Sequence, residues 1–299
     1  MWQGAGMTDS HVPALDPFPE DWDVGLAVVA HPDDMEYGAA SAVARWTAQG
    51  KRIAYVLVTD GEAGISTIRP DEVGPLRRSE QMASCAVVGV TDVEFLGRPD
   101  GLLVEGVELR RDLAAAVRRH RPEVVLSINH RDSWGGPSWN HSDHRAVGRA
   151  LLDAVRDAGN PWLFRDVPDD PWDGCQFVAF SGSPQPSHAV DVTEWLDAGI
   201  ASLRCHEVYL SNLGGAMSDV DGFLRGNAEQ TGPRLGVELA TAFEVVMVRS
   251  GVRRLALRRW STGRSHRVVS SASSSEVPGR RPIPAGCRRT HAPMRDRSA

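Results

Sequence analysis

The sequence has no long apolar run, no paired cysteines and almost no lysine. No run of 18 or more apolar residues occurs, so no transmembrane helix or membrane partner is expected. The N-terminal segment lacks the basic and apolar regions of a secretory signal, which predicts a cytoplasmic protein. The four cysteines form no Cys-x-x-Cys pair, which excludes a zinc finger and argues against a disulfide framework in a chain of 299 residues.

The charge is divided unevenly along the chain. Residues 250–299 hold 12 Arg and 2 acidic residues, whereas the rest holds 21 basic and 37 acidic residues. The acidic body argues against nucleic acid as a partner, because it would repel phosphates. The composition predicts three parts: a flexible arm over 1–20, a folded domain over 21–250, and a basic, largely disordered tail over 251–299.

Apolar runs alternate with helical patterns from residue 24 onward. The runs are nearly continuous in apolar residues, as strands buried on both faces should be. This alternation predicts an α/β fold, with a Rossmann-like, doubly wound, mostly parallel sheet and helices on both faces. The first four predicted strands are 24–30, 53–59, 92–96 and 123–128, and the predicted helices are 38–49, 75–88, 107–120, about 143–158, and 194–210.

Two histidine motifs follow the first and the fourth predicted strands. His31 and Asp34 lie three residues apart around a turn, and His144 would begin the helix after strand four. Because ligands bind at the carboxyl ends of parallel strands, we expect these side chains to meet at one edge. Three ligands from His and Asp, with one position left for water, suit a catalytic Zn²⁺ site, and Fe²⁺ is the alternative.

The residues beside these ligands supply candidates for acid–base chemistry. Asp33 lies between His31 and Asp34 and is placed to take a proton from a metal-bound water. His141 could donate a hydrogen bond to a developing oxyanion, or a proton to a leaving amine. Asp143 could orient His141 or His144. Taken alone, the first motif could equally be a helix cap, but the two motifs together favour a metal site.

With these motifs in hand, the sequence resembles the LmbE-like, or PIG-L, family of zinc-dependent N-deacetylases over about residues 22–210. The resemblance implies that His31, Asp34 and His144 bind zinc and that Asp33 is the general base. It also implies that His141 stabilises the tetrahedral intermediate. The stretches that carry the resemblance are 30–36, 59–64, 77–80 with Gly89 and Val90, 95–101 and 140–144.

The chain departs from the family pattern at three places. Met35 stands before Glu36, where the family often has Glu directly after the two aspartates. Trp139 occupies a position at which some sugar deacetylases of the family carry an oxyanion-donating Tyr. The family's late His-x-x-Gln element appears as 206–209 without the Gln.

Four further residues are candidates for substrate binding. Arg77 matches a family Arg that reaches substrate hydroxyl or phosphate groups, and the alternative is an ion pair with Glu80 on the same helix. Asp60 and Glu62 follow strand two and would bind sugar hydroxyls or cap the next turn. Trp139, in the loop 129–140, would form part of a sugar-stacking wall or lid; the alternative is a plain surface loop.

Together these features imply a metal-dependent amide hydrolase that removes an N-acyl group, in the first place N-acetyl, from an amino sugar or a glycosylated small molecule. The alternatives are an amidase of a thiol conjugate of the mycothiol type, a natural-product tailoring deacylase, and a catalytically silent binding module. The expected partner is the small molecule alone. The oligomeric state does not follow from the sequence.

Overall fold

The structure is a computed structural model, and it describes residues 13–248. The predicted tail over 251–299 and the first twelve residues of the predicted arm lie outside the described residues. None of the described helices is both long enough and apolar enough to cross a membrane.

Strands and helices follow the predicted alternation over most of the described chain. The strands are β1 (Asp16–Pro17), β2 (Val24–Val29), β3 (Arg52–Thr59), β4 (Asp92–Arg98), β5 (Val124–Ile128), β6 (Ser133–Gly135), β7 (Ser138–Trp139), β8 (Phe177–Ser181), β9 (His188–Asp191) and β10 (Ala240–Met247). The helices are α1 (Asp34–Gly38), α2 (Ala40–Ala48), α3 (Pro70–Val87), α4 (Val107–His120), α5 (Ser142–Ala158), α6 (Leu196–Leu203), α7 (Glu207–Asn212) and α8 (Val220–Leu235), with a 3₁₀ turn at Ala216–Ser218.

Eight strands form one sheet in the order β1-β9-β10-β8-β5-β2-β3-β4, and β6 and β7 form a separate hairpin. All pairs in the large sheet are parallel except those of β10, which runs antiparallel to both β8 and β9. Helices α2, α3, α6 and α8 contribute to the core on one face, and α4 and α5 to the core on the other. The predicted α/β class with a mostly parallel, doubly wound sheet is confirmed.

The central strand β2 shows why its sequence is continuously apolar. Leu26 and Val28 point into the core that α4 and α5 cover, while Ala27 and Val29 point into the opposite core. Successive side chains of a strand face opposite sides of the sheet, so a strand covered on both faces needs apolar residues at every position.

The sheet reverses its winding direction beside β2. From β2 the chain winds outward through β3 and β4, and then returns to place β5 on the other side of β2. The carboxyl ends of β2 and β5 therefore flank a switch point, where open α/β sheets bind ligands. The loops that leave these two strands carry the two predicted histidine motifs.

Several predicted elements differ in their boundaries. The helix expected over 38–49 is α2, and a short helix that was not expected, α1, precedes it; the backbone of Ala39 leaves the helical region between the two. The helix expected over 194–210 is interrupted between α6 and α7. Helix α8 was not predicted, because three glycines and Pro233 weaken its helical pattern. The loop over 129–141 contains the β6–β7 hairpin.

The prediction of a flexible arm over 1–20 is wrong for the part that is described. Strand β1 pairs in parallel with β9. Phe18 is buried, and its ring centroid lies 5.0 Å from those of Trp46 and Phe243. An aromatic side chain that fills the core ties this polar, proline-containing segment to the sheet.

We predict that Phe18→Ala lowers the free energy of unfolding by about 3–5 kcal/mol, because truncating a buried Phe leaves a cavity. Leu102→Ala is the matched control, since the Leu102 side chain is 75% exposed. Chemical denaturation of both variants measures the difference. Equal stability of the two variants would contradict the anchoring role of Phe18.

Candidate metal centre

The turn after β2 is held in a defined shape by side chains of the turn and of α3. Asp34 Oδ2 accepts a hydrogen bond from the backbone N–H of His31 at 2.9 Å. Asp33 has a φ of 88°, in the left-handed region, which Asp tolerates better than most residues. Its N–H donates to Oε1 of the fully buried Gln81 at 3.0 Å. The turn therefore presents His31, Asp33 and Asp34 together.

The three predicted ligands meet at atoms suited to one ion. His31 Nδ1 lies 3.2 Å from His144 Nε2. Asp34 Oδ1 lies 3.0 Å from His144 Nε2, and Asp34 Oδ2 lies 3.6 Å from His31 Nδ1. Ligands of a tetrahedral zinc with bonds of about 2.0–2.1 Å are separated by roughly 3.3 Å, which these three distances bracket.

Contacts with two carboxylates at Nε2, the outer ring nitrogen of His31, fix the tautomer of this side chain. Nε2 lies 3.0 Å from Asp100 Oδ1 and 3.4 Å from Asp143 Oδ2, so this nitrogen carries the proton. The two carboxylates are held in turn by backbone donors, Ala63 N–H for Asp100 and Gly101 N–H for Asp143. The inner nitrogen, Nδ1, is left with its lone pair directed at His144 and Asp34.

Asn140 fixes the tautomer of His144 in the same way. The amide nitrogen of Asn140 donates to the carbonyl oxygens of Asn129 at 2.7 Å and Arg131 at 2.8 Å, which settles the orientation of its side chain. Its Oδ1 then accepts from His144 Nδ1 at 3.0 Å. In the neutral tautomer that this hydrogen bond favours, Nε2 of His144 is the nitrogen with the lone pair.

Two imidazole lone pairs and a carboxylate thus face one another in a buried space. Such a group is repulsive unless a cation or additional protons lie among its members. Burial acts on the pKa of His31 in the downward direction, but Asp34, Asp100 and Asp143 raise it well above its ordinary value. Burial would raise the pKa of Asp34, but His144 and His31 hold it far below its usual range. The donor set fits Zn²⁺.

Asp33 lies beside these ligands and is not one of them. Burial, with a smaller contribution from the charge of Asp34, raises the pKa of Asp33 to about 7, against the opposing charge of Arg77. Arg77 Nη2 lies 3.3 Å from Asp33 Oδ1. A carboxylate with this affinity for a proton can both accept and return one near neutral pH.

His141 is the N-cap of α5, and its Nδ1 accepts from the N–H of Asp143 at 3.2 Å. Neutral His141 therefore carries its proton on Nε2. Burial and the neighbouring His31 and His144 lower its pKa. Its ring centroid lies 5.0 Å from that of His31. The sequence-based expectation for Asp143 needs correction, because its carboxylate contacts His31 rather than His141 or His144.

Arg77 is buried and lines the cavity over the candidate ligands, and its guanidinium is held by several groups of the protein. Its guanidinium donates to the carbonyl oxygens of Gly61 at 3.1 Å and Pro32 at 2.5 Å, and it stacks over the Tyr209 ring at 4.0 Å. The alternative ion pair with Glu80 is not among its contacts, since Glu80 accepts instead from the N–H of Val208.

The other three predicted substrate contacts, unlike Arg77, lie outside the cavity. Asp60 pairs with Arg78 at 2.8 Å, and Glu62 accepts from the N–H of Asp100 at 2.8 Å. Trp139 is 67% exposed and lies against the guanidinium of Arg145. None of Asp60, Glu62 and Trp139 lines the cavity at the centre.

A cavity of about 820 Å³ opens over the three candidate ligands. Trp134, and not Trp139, lines it on the hairpin side. The Trp134 ring lies edge-on to His144 with centroids 5.8 Å apart, and it packs over Gly182. The aromatic wall expected from this loop therefore exists, but the second tryptophan of the loop does not form it.

Sequence reasoning assigned no role to Asp100, Asn140 or Gln81. Asp100 and Asn140 lie inside stretches that carry the family resemblance, and this placement was the sequence signal that could have identified them as functional residues. Gln81 follows Arg77 by four residues on α3, so the two side chains share one helix face toward the turn at Asp33. Gln81 also donates to the buried carboxylate of Glu36 at 2.7 Å.

The PIG-L family, described as GlcNAc-PI de-N-acetylase, has a sequence model that matches residues 26–155. The matched segment contains all three candidate ligands, Asp33 and His141. The resemblance to the PIG-L family is confirmed. The PIG-L segment covers β2 to most of α5, which is the half of the sheet that builds the metal centre.

Individual relatives agree with this assignment. A diacetylchitobiose deacetylase of Thermococcus kodakarensis is 29% identical, over 61% of this chain and 68% of its own length. The 1D-myo-inositol 2-acetamido-2-deoxy-alpha-D-glucopyranoside deacetylase of Acidothermus cellulolyticus is 29% identical, over 62% of this chain and 79% of its own length. The crystal structure of the N,N'-diacetylchitobiose deacetylase of Pyrococcus horikoshii superposes with a TM-score of 0.69 at 25% identity, covering 77% of this chain and 85% of that one.

We predict that His31→Ala and His144→Ala each abolish stoichiometric binding of zinc, because each removes one of the two facing lone pairs. His188→Ala on β9, far along the sheet from β2, is the matched control and should keep its zinc. Elemental analysis after gel filtration measures the metal content. Full zinc in either ligand variant would refute the assignment.

The buried imidazole of His206 predicts a measurable pH dependence of the folding stability. His206 is fully buried, and within the described residues neither of its ring nitrogens has a hydrogen-bond partner. Burial, aided by the charge of Arg77, lowers its pKa to about 3 from an ordinary value of 6.5. Below pH 6.5 the unfolded chain binds this proton while the folded chain does not, so stability falls as the pH falls.

We predict that His206→Met, which removes no hydrogen bond, reduces the loss of unfolding free energy between pH 7 and pH 5. The expected reduction is about 2 kcal/mol, from 1.36 kcal/mol for each pH unit below the unfolded pKa. Urea denaturation of both proteins at the two pH values measures it. The same pH dependence in both proteins would contradict the buried, neutral imidazole.

Proposed function

We propose that this protein is a zinc-dependent hydrolase that removes the N-acetyl group of an amino sugar. The observation that carries the proposal is the pair of imidazole lone pairs that face Asp34, with Asp33 beside them. A buried group of this kind fits a cation, and a carboxylate outside the ligand set is available for proton transfer. A binding module would have no need of that second carboxylate.

His31, Asp34 and His144 would hold the ion, and Asp100, Asp143 and Asn140 would hold the two imidazoles. A bound Zn²⁺ supplies polarisation of the acyl carbonyl and a lowered pKa of water. Fixing both histidine tautomers from outside raises the basicity of the inner nitrogens and keeps them aligned.

Asp33 acts as the general base and then as the acid. Its carboxylate accepts a proton from the attacking water, and the amide C–N bond breaks as the same proton is returned to the leaving nitrogen. The products are acetate and the free amine of the sugar. Arg77 and Gln81 position Asp33, the first through its carboxylate and the carbonyl of Pro32, and the second through its backbone N–H.

His141 supplies the hydrogen bond to the developing oxyanion. Because Nδ1 accepts from the backbone, Nε2–H is the group that can donate. Trp139 has no part in this step, since it lies outside the cavity. In this protein His141 alone would donate a hydrogen bond to the oxyanion. In family members that have Tyr where this chain has Trp139, the Tyr and the histidine would share that role.

The names of the two relatives support an amino sugar as substrate, since both act on N-acetylated amino sugars. The same centre could hydrolyse the amide of a thiol conjugate or of a tailored natural product. Release of free acetate from an N-acetylglucosaminide, and not from such a conjugate, would favour the proposed function.

We predict that Asp33→Asn lowers kcat for acetate release from methyl N-acetylglucosaminide by about 10²–10⁴-fold, the usual range for removing a general base. Its zinc content should stay at that of the unmodified protein. Glu62→Gln is the control, because Glu62 lies outside the cavity. Unchanged acetate release by Asp33→Asn would overturn the mechanism.

A further inference from the structure

The cavity does not end at the metal centre but continues beneath α8. This continuation, here called the α8 chamber, lies between α8, the start of β10, α6 and the beginning of α2. Its lining is mostly small or apolar. The lining residues used below are Leu196, Phe223, Leu224, Ala228, Ala240 and Ala242.

One face of α8 forms the outer wall of the chamber. Leu224, Ala228 and Thr231 recur at spacings of four and three residues and line the cavity together with Phe223, and Leu224 and Ala228 are buried. From Phe223 to Arg234, the last cavity-lining residue of the helix, the wall extends about 16 Å at 1.5 Å per residue. The polar side chains that line it belong mainly to α8.

The chamber adjoins the metal centre on the side of Asp33. Tyr37 lies on α1, one turn beyond Asp33, and its N–H donates to the Asp33 carbonyl. The Tyr37 hydroxyl donates to the carbonyl of Met217 at 2.9 Å, and its ring meets that of Phe223 edge-on at 5.5 Å. Tyr37 therefore joins the turn of the general base to the entrance of the chamber.

This arrangement determines which part of a substrate would enter the α8 chamber. If Asp33 returns its proton to the leaving nitrogen, as the proposed function requires, that nitrogen and the sugar attached to it lie on the side of Asp33. The acyl group then lies on the side of His141. We propose that the α8 chamber binds an apolar aglycone carried by the amino sugar.

The size and the origin of the chamber support this proposal. A total cavity of about 820 Å³ is near the upper end of the range of about 300–1,000 Å³ for ligand pockets, which exceeds the needs of one sugar ring. Helix α8 and β10 lie outside the segment matched by the PIG-L family, 26–155. The apolar wall is thus contributed by the part of the chain that the match does not cover.

The test compares kcat/KM for methyl, butyl and octyl N-acetylglucosaminides, with the octyl compound kept below its micellar concentration. We expect the octyl glycoside to exceed the methyl glycoside by tenfold or more, because burial of each methylene group is favourable. A parallel series of N-acetyl, N-butanoyl and N-octanoyl glucosamine methyl glycosides should show no such gain.

Two variants fill the chamber and one is a matched control. Ala228→Phe should reduce the octyl-to-methyl ratio to about one, and Thr231→Phe, at a less buried position, should do the same if Ala228→Phe does not fold. Glu229→Phe adds the same side chain to the exposed face of α8 and should keep the ratio.

The possible outcomes separate this inference from the proposed function. Acetate release from all three glycosides without dependence on the alkyl chain would overturn the chamber and leave the proposed function intact. A gain along the N-acyl series instead would overturn the assignment of sides. No acetate release from any glycoside would overturn the proposed function, and this inference with it.

Discussion

The arrangement of the site depends on one interaction, the close approach of the inner nitrogens of two imidazole rings. His31 Nδ1 and His144 Nε2 lie 3.2 Å apart because each ring has its proton held on the far side, by carboxylates in one case and by Asn140 in the other. Without a cation or an additional proton between them, the two inner nitrogens and the Asp34 carboxylate would repel one another in a buried space. The hydrogen bonds that create this repulsion are also the ones that prepare the group to bind a metal ion.

The fold supplies the rigid frame that this approach needs. The turn after β2 and the N-terminus of α5 are brought together because β2 and β5 are neighbours at the point where the sheet changes its winding direction. The loop that carries Asp100 follows β4 and reaches over the same edge to close the ring around His31. Three segments far apart in sequence therefore fix the position of one imidazole, and a displacement of any of them would disturb both the ligands and Asp33.

Much of this could be predicted from the sequence, and the failures have physical causes. The candidate ligands were predictable because the loops that carry both motifs leave strongly apolar strands, and the alternation of strands and helices predicts a parallel sheet whose carboxyl ends share one edge. The substrate contacts were harder to predict, because whether Asp60, Glu62 or Trp139 faces the cavity depends on loop conformation. Arg77 turns inward to satisfy the carbonyls of Gly61 and Pro32, a demand that no local pattern reveals. Helix α8 was missed because its glycines hide its periodicity, and with it the apolar chamber.

The central claim is that the ion binds between the inner nitrogens and Asp34. Anomalous diffraction at the zinc edge from crystals of the zinc-loaded protein tests it most directly. We predict one peak about 2.0–2.1 Å from His31 Nδ1 and His144 Nε2, and about 2.0–2.2 Å from an Asp34 oxygen. A peak on the other side of His31, between Nε2, Asp100 and Asp143, where the three side chains also approach one another, would contradict it.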